Sequence, residues 1–367
     1  MDKLWKFPEL DEKAKDLDII SRVLNQRNIT KQEDIEEFIS DKPMATYDPF
    51  LLKNMTSIVS RVIHHLTKKN KIVIVGDYDV DGVTSTALLM EFFGSINKNV
   101  DYYIPNRFTE GYGLNIEAIS FIKHEMNADL VITVDNGISA VKEVEHAKDI
   151  GLEIIVTDHH NPPKNLPNCL ILNPKLEDNK YPYDQLCGCG VAFKLMQGIQ
   201  KTLGLKKSLL TKGLDLVALA TICDMVPLLD ENRTFVKYGL KRINSNSRLG
   251  IAALRHVVGL YNQEVTAGRI GYIVGPCFNA AGRINDAKLG VKLLLCENKT
   301  EALNFSTRLY ELNKERREMQ EEGEILCNNI VEKYHKDKDF LIVNGENISE
   351  GVIGIVAGRI KDKYYRP

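Results

Sequence analysis

From residue 71 onward the chain alternates short apolar runs with longer amphipathic stretches, and this alternation constrains the fold more than any other feature. Each apolar run, such as 71–75 or 130–134, has the length of a strand, and each amphipathic stretch has the length of a helix. Strands that alternate with helices in this way are typical of a parallel sheet. We therefore predict an α/β fold with a doubly wound, mainly parallel sheet. The predicted elements are strands 71–75, 100–104, 130–134, 153–157 and 169–172, and helices 83–94, 115–125, 138–149, 190–202 and 211–222.

The segments that flank this pattern differ from it in composition. Residues 1–47 are charged and helix-like and end in turn-rich sequence, so we expect an N-terminal helical segment followed by a main domain over 48–304. Residues 305–337 contain no Pro and repeat Leu, Met and Ile at spacings of three and four, which predicts one long connecting helix. Arg316 and Gly323 interrupt its apolar seam, which disfavours a long coiled coil.

The last part of the sequence predicts the beginning of a second, smaller α/β domain over 338–367. It supplies only about one strand and one helix of such a domain, so we expect the chain to be truncated at its C-terminus. The predicted strand is 340–343, and the predicted helix begins in the Gly-rich stretch 351–359.

Composition and charge exclude several classes of protein. The 44% apolar and 27% charged residues rule out a disordered or collagen-like chain, and no apolar run approaches the roughly 20 residues that span a bilayer. A net charge of −2 gives no global basic field, so a nucleic-acid partner would have to be held by a local patch.

The start lacks the apolar segment of a signal peptide and the seven Cys are scattered, so we expect a soluble, cytoplasmic protein. Cys187 and Cys189 could bind zinc, but no second pair completes four ligands, and packing at a helix start is favoured.

Metal-binding residue types follow three of the predicted strands directly. Ligands of open parallel sheets bind beyond the carboxyl ends of the strands. One Asp in such a place usually caps a helix, but a cluster of carboxylates and imidazoles would repel itself in a low-dielectric cleft unless cations neutralised it. Mostly oxygen ligands favour Mn²⁺ or Mg²⁺ over zinc, and two ions about 3.5–4 Å apart would suit hydrolysis at phosphorus, with a structural metal as the alternative. The residues are Asp77, Asp79, Asp81, Asp135, Asp158, His159 and His160.

Four motifs in these regions resemble, in order, those of the DHH phosphoesterase superfamily. They are Asp-Tyr-Asp-Val-Asp-Gly at 77–82, Val-Asp-Asn-Gly at 134–137, Asp-His-His at 158–160 and Cys-Asp-Met-Val-Pro at 223–227. Three further stretches, at 107–113, 275–283 and 351–359, are similar to the branch of this superfamily formed by single-strand-specific 5′ to 3′ DNA exonucleases. The resemblance spans roughly residues 45–367.

The resemblance implies a ligand set for two Mn²⁺ ions, with Mg²⁺ as a second candidate. One ion would be held by Asp81, Asp135, His159 and Asp224, and Asp135 would bridge to a second ion held by Asp79 and Asp77. Relatives often carry a His where this chain has Val75, so Asp77 must supply that coordination or the first ion binds more weakly. The remaining two, Asp158 and His160, would support the ligands or contact phosphate during catalysis.

The resemblance also implies cations and small polar groups that contact the substrate. Arg107, Arg283 and Arg359 each sit in a Gly-flanked motif and would hold phosphates, including the 5′ end. Asn279 would be a further substrate contact. Arg283 follows Asn279 and a run of small residues that would let the backbone approach the metals, which makes Arg283 a candidate catalytic cation; its alternative is an ion pair with Asp286.

Two further substrate contacts carry alternatives of their own. Tyr112 could stack on a base or pack against the strand-end loop. Relatives commonly carry a His where this chain has Ser349, which leaves only a neutral donor at that place.

By this resemblance the protein is a metal-dependent exonuclease that hydrolyses single-stranded DNA 5′ to 3′ to mononucleotides in recombination and repair. Its implied partners are single-stranded DNA, a helicase and a single-strand-binding protein, and we expect a monomer. One alternative keeps the chemistry but acts on short oligonucleotides, cyclic dinucleotides or pyrophosphate. Another is a non-catalytic DNA-binding scaffold, against which the intact ligand set argues.

Overall fold

The computed structural model describes residues 18–40, 46–96, 99–107, 110–111, 113–335, 338–345 and 348–367. The chain divides into two compact units, Met1–Thr46 and Tyr47–Pro367. In the described part of the first unit the Asp18 carboxylate begins a helix by accepting hydrogen bonds from the amides of Ile20 and Ser21. The helices of this unit are α1 (Ile19–Asn25) and α2 (Gln32–Ile39).

The second unit is built on a five-stranded parallel sheet, which confirms the predicted fold class. The strands are β1 (Ile72–Gly76), β2 (Val100–Tyr103), β3 (Leu130–Val134), β4 (Glu153–Thr157) and β5 (Leu170–Leu172). Their order is β2-β1-β3-β4-β5, so the direction of winding reverses between β1 and β3. In doubly wound sheets the ligand site lies at this switch point.

The register aligns the carboxyl ends of four strands in one row. Gly76 pairs with Val134, Val134 with Thr157, and Thr157 with Leu172. Each of these residues is the last of its strand. Whatever follows the four strands therefore meets at one edge of the sheet.

Helices cover both faces of the sheet, which explains why the central strands read as continuous apolar runs. Side chains alternate along β1: Ile72 and Ile74 pack into the larger core, whereas Val73 and Val75 pack into a second core on the opposite face. The helices of the second unit are α3 (Met55–Lys68), α4 (Val80–Ile96), α5 (Ile116–His124), α6 (Val141–Asp149), α7 (Gly188–Leu203), α8 (Ser208–Lys212), α9 (Leu214–Cys223), α10 (Asp230–Asn244), α11 (Leu249–Val257), α12 (Ala267–Arg269), α13 (Gly275–Ile284), α14 (Lys288–Leu295), α15 (Lys299–Ile330) and α16 (Glu350–Tyr364). A short 3₁₀ helix at Pro49–Leu51 and π-helical turns at Ile270–Val274 and Val331–His335 complete them.

The long helix expected around 305–337 is present as α15, and it begins earlier than the sequence pattern indicated. The side chain of Asn298 accepts hydrogen bonds from the amides of Thr300 and Glu301 and so fixes the start of the helix. The helix expected over 211–222 is instead two helices, α8 and α9, because the chain breaks at Gly213, a poor helix former.

The strand predicted at 340–343 is wrong. These residues form no strand, and a backbone hydrogen bond there runs from the amide of Leu341 to the carbonyl of Pro367. A strand needs a neighbour to complete its ladder, and none is present in the parts of the chain that the structure describes. The helix expected from 351 forms as α16. No helix among the described residues is both long enough and apolar enough to cross a membrane.

Candidate metal centre

Three acidic side chains lie directly beyond the aligned strand ends. Asp77 follows β1, Asp135 follows β3 and Asp158 follows β4, so the register places them next to one another. Asp135 has a φ of 61°, in the left-handed region that non-glycine residues rarely adopt. Strained backbone of this kind is concentrated at functional sites.

The predicted ligands, joined by His160, come together in three overlapping groups, and within each group the candidate ligand atoms lie within 4.8 Å of one another. Asp135 is shared by two of the groups and His159 is also shared by two, so the groups form one continuous centre. The groups are Asp77, Asp79 and Asp135; Asp135, His159 and His160; and Asp81, His159 and Asp224.

The chemistry of this centre fits divalent cations. Oδ1 of Asp135 is buried and forms no hydrogen bond with the described residues, although it lies 3.1 Å from Nε2 of His159. We take the distance as an approach of two ligand atoms, because the hydrogen-bond geometry is not met. Burial and then the charges of Asp81 and Asp79 raise the pKa of Asp135 well above its usual range. Buried carboxylates at such a spacing need a cation to stay ionised.

The N-terminus of α7 holds Asp81 in place. The amides of Gly188 and Cys189 donate to its two carboxylate oxygens at 2.6 and 2.7 Å. A Cβ at Gly188 would lie 2.6 Å from Cβ of Asp135, so only glycine allows this helix to approach so closely. Sequence reasoning missed this role of Gly188, because the Cys-Gly-Cys-Gly pattern indicates only tight packing. Cys187 and Cys189 are indeed buried thiols.

Backbone amides at and just before the start of α4 hold two further predicted ligands, Asp79 and Asp77. Oδ1 of Asp79 accepts hydrogen bonds from the amides of Asp81 and Gly82 and thereby caps the helix. Oδ1 of Asp77 accepts from the amide of Tyr78 at 2.8 Å. The predicted substrate contact Asn279 accepts a hydrogen bond from the amide of Val80 at 3.1 Å, so its oxygen supports the loop that carries the ligands.

Asp158 acts on the position of His160. Its Oδ2 accepts from the amide of Ile138, while its Oδ1 accepts from the amides of His159 and His160 and lies 2.7 Å from Nδ1 of His160. Burial alone would raise the pKa of Asp158, but these hydrogen bonds outweigh it and lower the pKa. The hydrogen bond with Asp158 raises the pKa of His160, whose side chain is 47% exposed.

His159 is buried among three carboxylates. Besides the approach to Asp135, its Nε2 lies 3.7 Å from Asp81 and its Nδ1 lies 3.7 Å from Asp224. Burial and the charge of His160 lower its pKa to about 4, so the imidazole is neutral and able to bind a metal at ordinary pH.

Sequence reasoning missed Lys175, a cation whose charge acts on Asp224. Burial and the charge of Asp79 raise the pKa of Asp224 to about 6, while the charges of His160 and Lys175 oppose that shift. Lys175 lies just after Asn173, the first residue beyond β5. The side chain of Asn173 accepts a hydrogen bond from the amide of Lys175 and donates one to the carbonyl of His160. The row of strand ends was the signal that could have found both residues.

Two of the predicted arginines lie beside the centre. The Arg107 guanidinium is 5.2 Å from the ring centroid of Tyr78, the residue between Asp77 and Asp79. The Arg283 guanidinium donates to the carbonyl of Gly351 at 3.2 Å, and no ion pair with Asp286 forms in the described chain. A Cβ at Gly351 would collide with the carbonyl oxygen of Arg283, so the start of α16 packs directly on the end of α13.

The other predicted substrate contacts lie on α16, at its N-cap, or outside the described residues. Arg359 pairs with Glu324 of α15 at 3.0 Å. Ser349 is the N-cap residue of α16 and makes no capping bond with its side chain. Tyr112 lies outside the described residues.

A doubly wound parallel sheet with aspartates and histidines at its switch point defines an α/β protein with a candidate metal centre at the carboxyl edge of its sheet. A family model described as the DHH family, N-terminal domain, matches residues 71–221, the part of the chain that carries most of these ligands.

Similarity to proteins of known structure and sequence narrows the class. The chain is 38% identical over 363 residues to the single-stranded-DNA-specific exonuclease RecJ of Bacillus subtilis, covering 99% of this chain and 45% of that protein. The crystal structure of exonuclease RecJ bound to manganese matches with a TM-score of 0.78 and 32% identity, covering 88% of this chain and 80% of that one. RecJ of Thermus thermophilus in complex with Mg²⁺ matches with a TM-score of 0.70 and 27% identity over 93% of this chain and 46% of that one. The chain belongs to the RecJ family, and it spans about half the length of the Bacillus subtilis relative.

Proposed function

We propose that this chain hydrolyses phosphodiester bonds in single-stranded DNA with two divalent ions. The observation that carries the proposal is the shared position of Asp135, which belongs both to the group with Asp77 and Asp79 and to the group with His159. A carboxylate between two metal subsites is the arrangement expected of a two-metal phosphoesterase. The proposed ligands are Asp77, Asp79, Asp81, Asp135, His159 and Asp224.

We assign Mn²⁺ to this site, with Mg²⁺ as the second candidate. Carboxylates with one or two imidazoles suit both ions. Two solved relatives are described as bound to manganese and to Mg²⁺. Two such ions would activate a water molecule and neutralise charge on the phosphoryl oxygens.

The chain's own residues would orient the substrate and move protons. Because Nδ1 of His160 is engaged by Asp158, Nε2 is the atom that would donate to a phosphoryl or leaving-group oxygen, and the raised pKa of His160 favours the protonated donor. Arg283 and Arg107 would place positive charge on the open side of the centre. We assign further contacts with the strand to Tyr112, Asn279, Ser349 and Arg359.

The names of the relatives support a single-stranded DNA substrate. We propose 5′ to 3′ removal of mononucleotides in DNA repair and recombination in the cytoplasm, by a monomer that receives single strands from a helicase and a single-strand-binding protein. Within the chain, residues 48–304 would form the catalytic domain, 305–337 the connecting helix, and 338–367 part of a second domain that contributes to the substrate groove.

Labelled oligonucleotides test this proposal. With Mn²⁺, the chain should release mononucleotides at once from a 5′-labelled single strand, should shorten a 3′-labelled strand stepwise, and should spare blunt duplex. Asp135→Asn should abolish the reaction, because one side chain serves both ions. Release of the 3′ label first would contradict the polarity, and equal activity on duplex would contradict the substrate.

A further inference from the structure

Arg316 of the long helix α15 is held in a fixed orientation by two neutral side chains. Its Nε and Nη2 lie 3.2 and 3.1 Å from Oδ1 of Asn313, and its Nη1 lies 3.0 Å from Oε1 of Gln320. These residues lie three positions before and four positions after Arg316, on the same face of the helix. Asn313 and Gln320 are only 3% and 4% exposed. Two buried amides thus orient one guanidinium group without neutralising it.

The contacts of α15 place Arg316 beside the junction of α13 and α16. Asn313, one turn before it, contacts Sγ of Cys277 on α13 at 3.7 Å. Gly323, two turns after it, packs against Val356 of α16. Since the end of α13 and the start of α16 meet at Arg283, Arg316 lies on the helix that borders this junction.

The charges around Arg316 are not balanced. Among the residues that the structure describes, neither Arg316 nor Arg283 has a carboxylate within ion-pair distance, whereas Arg359 has Glu324. Burial lowers the pKa of Arg316, and the charges of Arg317, Arg283 and Arg359 lower it further. Burial and the charge of Arg107 do the same to Arg283. A guanidinium group that has no counter-ion and feels other positive charges is stabilised when an anion binds to it.

We propose that Arg316, oriented by Asn313 and Gln320, binds a phosphate group of the substrate strand other than the one at the metal centre. The inference rests on the proposed function, because it takes single-stranded DNA as the substrate. A guanidinium group whose remaining donors are fixed in a plane suits two phosphate oxygens better than a flexible Lys. The phosphate is either the terminal 5′ phosphate or an internal phosphodiester, and both present the same oxygens.

Arg316→Gln tests the assignment by removing the charge from a half-buried position. We expect the variant to weaken binding of single-stranded DNA about tenfold and to reduce the slope of log K against log salt by about 0.7, the value for one lost phosphate contact on a single strand. Cleavage at saturating DNA should fall by about threefold or less, because the proposed contact is with a phosphate other than the scissile one. Arg316→Lys should keep most of the salt slope but lose affinity.

A matched control is Arg308→Gln on the same helix, where the guanidinium already pairs with Glu311 and Glu315. It should leave both affinity and salt slope unchanged. An unchanged salt slope in Arg316→Gln would overturn the inference, and weaker binding with an unchanged slope and a lower Tm would show that Arg316 only stabilises the fold.

Strands with a 5′ phosphate and with a 5′ hydroxyl separate the two sources of the phosphate. If the terminal group is bound, the penalty of Arg316→Gln disappears on the hydroxyl strand; if an internal phosphodiester is bound, the penalty is equal on both. Each result supports a phosphate contact. Failure of the wild-type chain to bind or cleave single strands would count against the proposed function, whereas wild-type activity with a silent Arg316→Gln would count against this inference alone.

Discussion

Single carboxyl groups at the sheet edge make the stability of the metal-free chain depend on pH. Burial and the charge of Asp79 raise the pKa of Asp224 to about 6, and burial and neighbouring acids raise the pKa of Asp81 and Asp135 well above the usual range. A carboxyl group with a raised pKa in the folded state stabilises the fold below its unfolded pKa and loses that contribution as the pH rises through the folded pKa. The metal-free fold should therefore lose stability as the pH rises through about 6.

The pH dependence of metal stabilisation follows from these shifts. We expect Mn²⁺ to raise Tm more at about pH 8 than at about pH 5.5, by a margin of about 3 °C or more. The reason is that protons compete with the ion at the lower pH. Thermal unfolding with Mn²⁺ and with a chelator at both pH values measures this. Asp224→Asn should reduce the difference, and a metal effect that is equal or larger at the acid pH would contradict the assignment of these carboxyl groups as ligands.

Among the secondary-structure elements, helix ends hold the proposed metal ligands. The start of α4 is capped by Asp79, and the start of α7 binds both oxygens of Asp81. These backbone amides stabilise the ionised form of Asp81 against burial and fix the direction of its oxygens. The distance between the two helix ends therefore controls the geometry of the centre.

Gly188→Ala should separate these elements. The added Cβ would lie 2.6 Å from Cβ of Asp135, so α7 or the Asp135 loop must shift. We expect Mn²⁺ to bind about tenfold more weakly, as is typical when groups that orient ligands are disturbed. Gly94→Ala on α4 is the matched control, because a Cβ there meets nothing within 4 Å and Mn²⁺ affinity should stay unchanged. Calorimetric titration that gives equal dissociation constants for Gly188→Ala and the wild type would rule out this positioning role.

At the scale of the whole molecule, the sequence predicted those features that one segment determines by itself. Buried parallel strands read as apolar runs, so 130–134 and 153–157 match β3 and β4 at both ends. The acidic cluster could be predicted because parallel strands end at a common edge. The sequence of 340–343 alone could not show whether this segment forms a strand, because a strand needs a neighbouring strand to complete its backbone hydrogen bonds. Gly188 acquires its role through contact with a distant segment, and no local pattern indicates that role. Lys175 could have been found only from its place just beyond β5 in the row of strand ends.

We propose that the Asp135 side chain joins two metal subsites at the sheet edge. Electron paramagnetic resonance of the Mn²⁺-saturated chain tests it most directly, since two ions bridged by a carboxylate are magnetically coupled. We predict two Mn²⁺ ions per chain with a coupled spectrum, and loss of both the coupling and at least one ion in Asp135→Asn. A single bound ion in the wild type, or two uncoupled ions whose number and affinity survive Asp135→Asn, would contradict the account.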